Sequence, residues 1–285
     1  MKYVIMVLGL CFKLSIIQAQ LQPNVATYAP INGLEMYYEI YGEGEPLILV
    51  HGSFMTIATT YGQFIPELAK SNKVIAVELQ GHGHTKNIER PFSYENFADD
   101  IIGLMDHLNI DRAHLIGYSL GATIALKTAL RYPDRTNKIV FISSVYSMDG
   151  WLPEIQQTFA NMKPEYLTNT PLKSAYDEVA PDPSQWISFV EGMIAFENRP
   201  FDLNIDEIKK RNLELLIING DYDGVDLNHS QELFRAVGGG GFGIMEPLSN
   251  SRLAVIPGTT HITLMQKTGV LLNYIAPFLR NISKE

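Results

Sequence analysis

Cysteine is all but absent: Cys11 is the only one in 285 residues, which excludes an intramolecular disulfide framework and any thiolate-rich zinc or iron–sulfur site. Cations are also scarce. Lys and Arg number 22 against 31 Asp and Glu, a formal charge of −9 at pH 7, so the electrostatic footprint of a nucleic-acid binder is missing. A membrane span needs about 20 apolar residues, and the apolar run of residues 3–12 stops at Lys13 after about half of that. No stable membrane insertion is expected. What remains is an apolar chain, 46% hydrophobic and 19% charged. It is too rich in core-forming residues to be disordered and long enough for one large α/β domain carrying an insertion.

Lys2 followed by the run 3–12 has the layout of a secretory signal. Ala19 supplies the small residue needed beside a cut, so residues 1–19 are read as a signal peptide and the protein is expected to be secreted or periplasmic. Removing that segment takes away Cys11, Lys2 and Lys13.

The order of elements predicts a doubly wound, mostly parallel sheet of the α/β class. Residues 34–41 alternate in part, as a half-exposed antiparallel strand does. Continuous apolar runs then follow at 46–52, 74–79, 113–118, 138–143, 213–220 and 252–257, the pattern of strands covered by helices on both faces. Residues 94–108 place Phe97, Ile101, Leu104, Met105 and Leu108 at helical spacing, and 120–132 is rich in Ala and Leu. Between 148 and 207 no buried strand is evident. That stretch holds both tryptophans and short helical patterns such as 184–196, so it is read as a helical cap inserted between core segments 20–147 and 208–285. In such a sheet, ligands sit beyond the carboxyl ends of the strands.

One motif carries chemistry. Gly117-Tyr118-Ser119-Leu120-Gly121 stands between a predicted strand and a predicted helix, the setting of a nucleophile elbow. Glycines flank the serine because the chain turns sharply there, and the helix behind it aims unpaired N–H groups and its positive dipole end at the same point. Leu120 N–H is thereby an oxyanion donor, whereas the bland alternative makes Ser119 a helix N-cap. A serine hydroxyl needs a base, and the base needs a carboxylate to orient it. Gly220-Asp221-Tyr222-Asp223-Gly224 follows one strand and Gly258-Thr259-Thr260-His261 the next. The order Ser, Asp, His makes sense only if strand ends converge in space.

With these residues the chain resembles the α/β-hydrolase family over nearly all of its length past the signal segment. His51-Gly52-Ser53-Phe54 resembles that family's oxyanion loop, and Gln80-Gly81-His82-Gly83-His84-Thr85 its Gly-x-Gly-x-Ser/Thr loop. The resemblance implies a second oxyanion N–H from Ser53 or Phe54. It also selects Asp223 over Asp221 as the acid, with Asp149 the runner-up position. Glu78 and Gln80 stand where the family commonly has Asp and Arg, a departure in a supporting loop. A serine at 119 argues against haloalkane or epoxide chemistry, which uses aspartate there.

The resemblance implies a serine hydrolase without a cofactor or metal, cleaving carboxylic esters or lactones; no Arg or Lys stands among the motif residues to meet a substrate carboxylate, so small apolar or aromatic substrates are expected. The same triad on C–C, amide or peracid substrates is the first alternative, and a non-catalytic binding or receptor protein the second. Met55, Tyr118, Trp151, Trp186 and Met193 are expected to line the substrate pocket, although apolar residues at helical spacing usually pack a cap onto its core. His51, His82 and His84 are set aside as a metal site because no His-Glu-x-x-His accompanies them. Gly238 to Gly241 reads as a flexible loop, since no Gly-Lys-Ser/Thr follows it. Oligomeric state leaves no mark in the sequence.

Overall fold

Asn32 and Gly33 both take positive φ, 50° and 86°, as the tightest hairpin turns require. They join β1 (Val25–Ile31) to β2 (Leu34–Tyr41) in antiparallel register. The computed structural model describes residues 21–245 and 247–280; the signal segment expected over 1–19, with Cys11, lies outside the described residues. β1 is a strand that the apolar runs do not announce. It is the sheet edge, its first four residues are exposed and it contains Pro30, which only an edge strand tolerates.

After β3 (Glu45–Val50) come α1 (Ile57–Tyr61), α2 (Ile65–Leu68), β4 (Asn72–Val77), α3 (Tyr94–His107), β5 (Ala113–Tyr118), α4 (Leu120–Arg131) and β6 (Thr136–Ile142). Then follow α5 (Pro153–Ala160), α6 (Pro171–Val179), α7 (Trp186–Glu197), α8 (Ile205–Lys209), β7 (Glu214–Tyr222), α9 (Leu227–Ala236), β8 (Arg252–Thr260), α10 (His261–Met265) and α11 (Thr268–Leu279). Among the described residues eight strands lie in the order β1-β2-β4-β3-β5-β6-β7-β8. β2 is antiparallel to β4 and every later pairing is parallel, so the sheet is mostly parallel as the run pattern predicts.

The apolar runs are explained by helices on both faces. Ile48, Val50, Phe141 and Ile217 face a core built with Phe97, Ile101 and Ile124 from α3 and α4. Their neighbours Leu47, Leu49, Val140 and Ile218 face the opposite core with Tyr61, Phe64, Leu271 and Ile275. Successive strand residues point to opposite faces, and here both faces are dry.

Register decides where the chain can do chemistry. Val50 pairs with Val77 and Gly117, Gly117 with Phe141, and Ile142 with Ile218. The ladder runs one residue further, from Ser119 N–H to Ile142 O (2.9 Å) and Ser143 N–H to Ile218 O (2.8 Å). The loops after β3, β5, β6 and β7 therefore leave the sheet along one rim. Between β6 and β7 the chain is helical, and an isolated antiparallel bridge between Ser147 and Asp202 brings the two ends of that stretch together.

The base of this stretch is tied to α9 by a buried histidine. His229 stacks on Tyr146 with centroids 3.9 Å apart, and its Nε2 accepts the Tyr146 N–H at 3.1 Å. Burial pushes its pKa down to about 4, against the opposing pull of Glu232, Asp226, Asp149 and Asp202. An unfolded chain protonates that ring first, near its ordinary value of 6.5, so its stabilisation is complete above that pH and lost as pH falls toward 4. The difference is worth about 3 kcal/mol, and burial lowers His51 and His82 as well. Urea unfolding at pH 7, 6, 5 and 4.5 is expected to show a steep loss of stability, with about one proton less of slope in His229→Gln. An unchanged slope in that variant would mean His229 does not titrate on unfolding.

Candidate active site

The turn between β5 and α4 holds Ser119 at φ 53° and ψ −123°, a region that costs a non-glycine residue of order 1–3 kcal/mol. The flanking glycines are what permit it. A Cβ at Gly117 would strike the Gly121 carbonyl and the Ala122 backbone, and one at Gly121 would strike the carbonyls of Val50 and His51. The side chain of Ser119 makes no cap bond to its helix, so the hydroxyl is left for another partner. As the first residue of α4, Leu120 has an N–H with no intrahelical acceptor.

That partner is His261. It stands where β8 ends and α10 begins, and Thr260 fixes the junction with a capping box to Thr263. His261 Nε2 lies 3.1 Å from Ser119 Oγ, and His261 Nδ1 lies 2.9 Å from Asp223 Oδ1. An ionised carboxylate only accepts hydrogen bonds, so Nδ1 carries the ring proton and Nε2 is free to accept from the serine. Trp151 packs edge-on to the ring at 5.7 Å, and Tyr118 donates to the His261 carbonyl at 3.0 Å.

Asp223 is buried. Burial alone would raise its carboxyl, but the hydrogen bond and charge of His261, with a hydrogen bond from Ser143, outweigh it and hold the group below its ordinary range. The Ser143 hydroxyl donates to Oδ2, and Gly220 N–H approaches the same oxygen at 3.4 Å. Asp221, two residues away, instead braces the loop by accepting from Thr259 N–H at 3.0 Å. Asp149 lies in a short 3₁₀ turn in the electrostatic surroundings of His229.

The loop after β3 faces the same point. His51 pins it by donating from Nδ1 to Gly52 O (2.8 Å) and accepting Leu79 N–H at Nε2 (3.2 Å). Met55 N–H turns back to Gly52 O and Phe54 adopts φ 63°. Neither Ser53 N–H nor Phe54 N–H donates to another described residue. Glu78 and Gln80 form the support behind it. Glu78 accepts from Ile57 N–H, His84 N–H and His84 Nδ1, while Gln80 holds Arg90, itself paired with buried Asp100.

Ser119, Leu120, Ser53, Phe54 and His261 all line one cavity of about 1,620 Å³. Of the five side chains expected in the pocket, Met55, Tyr118 and Trp151 line it. Trp186 and Met193 do not, and that expectation is corrected. They are 2% and 0% exposed and lie in the core with Phe189, Val190 and Phe196, on the inward face of α7. The cavity face of α7 carries Ile194 and Glu197. Ser53 donates its hydroxyl to Glu197 Oε1. Burial pushes the Glu197 carboxyl up, opposed by that bond and by His261. Sequence reasoning missed this residue, although an acid at the carboxyl end of an apolar helix opposes the dipole and so signals a local conflict. No group of three or more His, Cys, Asp or Glu among the described residues is arranged to hold a metal ion.

Comparison with known proteins places this fold. A family model described as alpha/beta hydrolase fold matches residues 45–184. A hydrolase of Bacillus subtilis is 27% identical over 277 residues, covering 88% of this chain and 96% of its own. A meta-cleavage product hydrolase from Pseudomonas fluorescens superposes with a TM-score of 0.71 at 24% identity, over 92% of this chain and 99% of that one. A Bacillus subtilis carboxylesterase does so with a TM-score of 0.70 at 19% identity, over 91% and 92%. At these identities the two structures share its fold.

Proposed function

We propose, from the premise that the chain belongs to the α/β-hydrolase family, that it is a serine hydrolase cleaving carboxylic esters or lactones of small, largely apolar or aromatic molecules. The observation that carries this reading is the hydrogen-bonded run from Asp223 through His261 to Ser119 at the wall of a large cavity. His261 Nε2 takes the Ser119 proton as Oγ attacks the carbonyl carbon, and the N–H groups of Leu120 and of Ser53 or Phe54 receive the negative oxygen. The ester C–O bond breaks, His261 returns the proton to the leaving alcohol, and Ser119 keeps the acyl group. Water then attacks through the same base and releases the acid. Asp223 fixes the tautomer that lets this happen.

The structural likeness to a meta-cleavage product hydrolase favours a second reading, hydrolysis of a C–C bond beside a ketone. Against it, no Lys or Arg among the described residues lines the cavity, so an anionic substrate would enter without a partner charge from them. Aryl esters with acyl chains of two to twelve carbons, run beside a fluorophosphonate label, test the choice. The cavity size predicts label on Ser119 and turnover that persists to medium chains. Label without ester turnover would move the assignment to C–C or amide bonds, and neither signal would make the chain a binding protein.

A further inference from the structure

Glu197 occupies a costly place. It is the last residue of α7, at the negative end of the helix dipole, and it faces a cavity whose lining among the described residues includes Glu67 but no Lys, Arg or Asp. Its one hydrogen bond among the described residues comes from Ser53, a neutral hydroxyl in the loop that holds the candidate oxyanion donors. Glu197 is half-buried at the cavity wall, and a carboxylate partly shielded from water with no Lys or Arg beside it is less well stabilised than one in bulk water. Two aromatic side chains line the same cavity. Phe54 follows Ser53 in the loop, and Tyr94, which lines the cavity, lies close enough for the charge of Glu197 to act on its phenol. A carboxylate sharing a cavity with aromatic side chains complements a weakly hydrated organic cation.

We propose that Glu197, with Phe54 and Tyr94, forms a cation subsite, and that the substrates are esters bearing an ammonium or alkylammonium group near the carbonyl. The inference takes the ester chemistry from the reading above, but the subsite can be tested without it. The missing positive charge arrives with the substrate, and the apolar remainder of the cavity holds the rest of the molecule. Ser53 then has two roles: its backbone lies at the oxyanion position while its hydroxyl keeps Glu197 aimed into the cavity.

Binding of choline and of its neutral isostere 3,3-dimethylbutan-1-ol, measured by calorimetry on Ser119→Ala protein with and without Glu197→Gln, reads the subsite directly. Choline is expected to bind about tenfold tighter than the isostere, and Glu197→Gln to remove most of that ratio. Equal binding of the two, or a ratio indifferent to Glu197→Gln, overturns the proposal. The parental ratio decides the matter even if the variant fails to fold. Turnover of acetylthiocholine against 3,3-dimethylbutyl thioacetate adds the catalytic side. A cation preference in binding with no thioester cleavage would uphold the subsite and remove the ester reading, whereas cleavage with no preference would do the reverse.

Discussion

Ser119→Ala is expected to lower kcat for an aryl ester by about 10⁶-fold, the scale seen when the nucleophile of a serine hydrolase is removed. That is about 8 kcal/mol of transition-state stabilisation. The size follows from what the proposed mechanism asks of the hydroxyl: without Oγ no acyl-enzyme would form, His261 would have nothing to deprotonate but water, and the N–H groups around the carbonyl oxygen would act alone. Those donors and the cavity are untouched, so about 10³–10⁴-fold catalysis over water should survive and KM should move little. Stability should hold, because alanine adopts the strained turn no worse than serine and Ser119 Oγ caps no helix N–H. Single-turnover kinetics and labelling with a fluorophosphonate, both lost together, are the expected signature. If the variant keeps most of its turnover, the nucleophile lies elsewhere. Ser144 and Thr123, hydrogen-bonded at 2.8 Å and lining the same cavity, are then the residues to replace.

How much of this could be read from the sequence depends on whether backbone or side chains decided it. The parallel sheet was legible because strands covered on both faces must be continuously apolar, and the short length of these runs separates them from buried helices. Ser119 and His261 stood out because sharp turns at strand ends demand glycine and small residues at fixed offsets, which the chain displays as Gly117, Gly121 and Gly258. Asp223 and Asp221 share one loop, and which carboxylate turns toward the histidine is fixed by Ser143 and Gly220, neither of which signals that role in sequence. β1 escaped notice because an exposed edge with Pro30 has no apolar run; only Asn32-Gly33 marked it. α7 shows the deepest limit. It is apolar nearly all round, so hydrophobicity cannot say which side meets the core and which the cavity. Trp186 and Met193 drew attention by size and turned inward, while Glu197 resembled any solvated cap residue until the fold placed it beside Ser53.

Asp223→Asn is expected to cost about 10⁴-fold in kcat, the loss associated with holding a catalytic histidine in the wrong tautomer. The surrounding donors decide the orientation of the new amide. Ser143 Oγ–H and Gly220 N–H both point at the present Oδ2, so the amide oxygen is drawn to that side and the NH₂ is turned toward His261 Nδ1. A ring facing a donor there must accept at Nδ1, which leaves the proton on Nε2 facing Ser119, where a base is needed. Binding contacts do not change, so KM should stay within a few-fold. Asp221→Asn serves as the control: its carboxylate is exposed and braces Thr259 at 3.0 Å from outside the hydrogen-bonded run, so the loss should be under about tenfold and come through loop stability. The reverse pattern, a crippled Asp221→Asn and an active Asp223→Asn, would give the acid's role to Asp221. The nitrogen position of Asp223→Asn can be checked without kinetics, since ring ¹⁵N shifts of His261 distinguish the two tautomers, and the rate loss should track the population carrying its proton on Nε2.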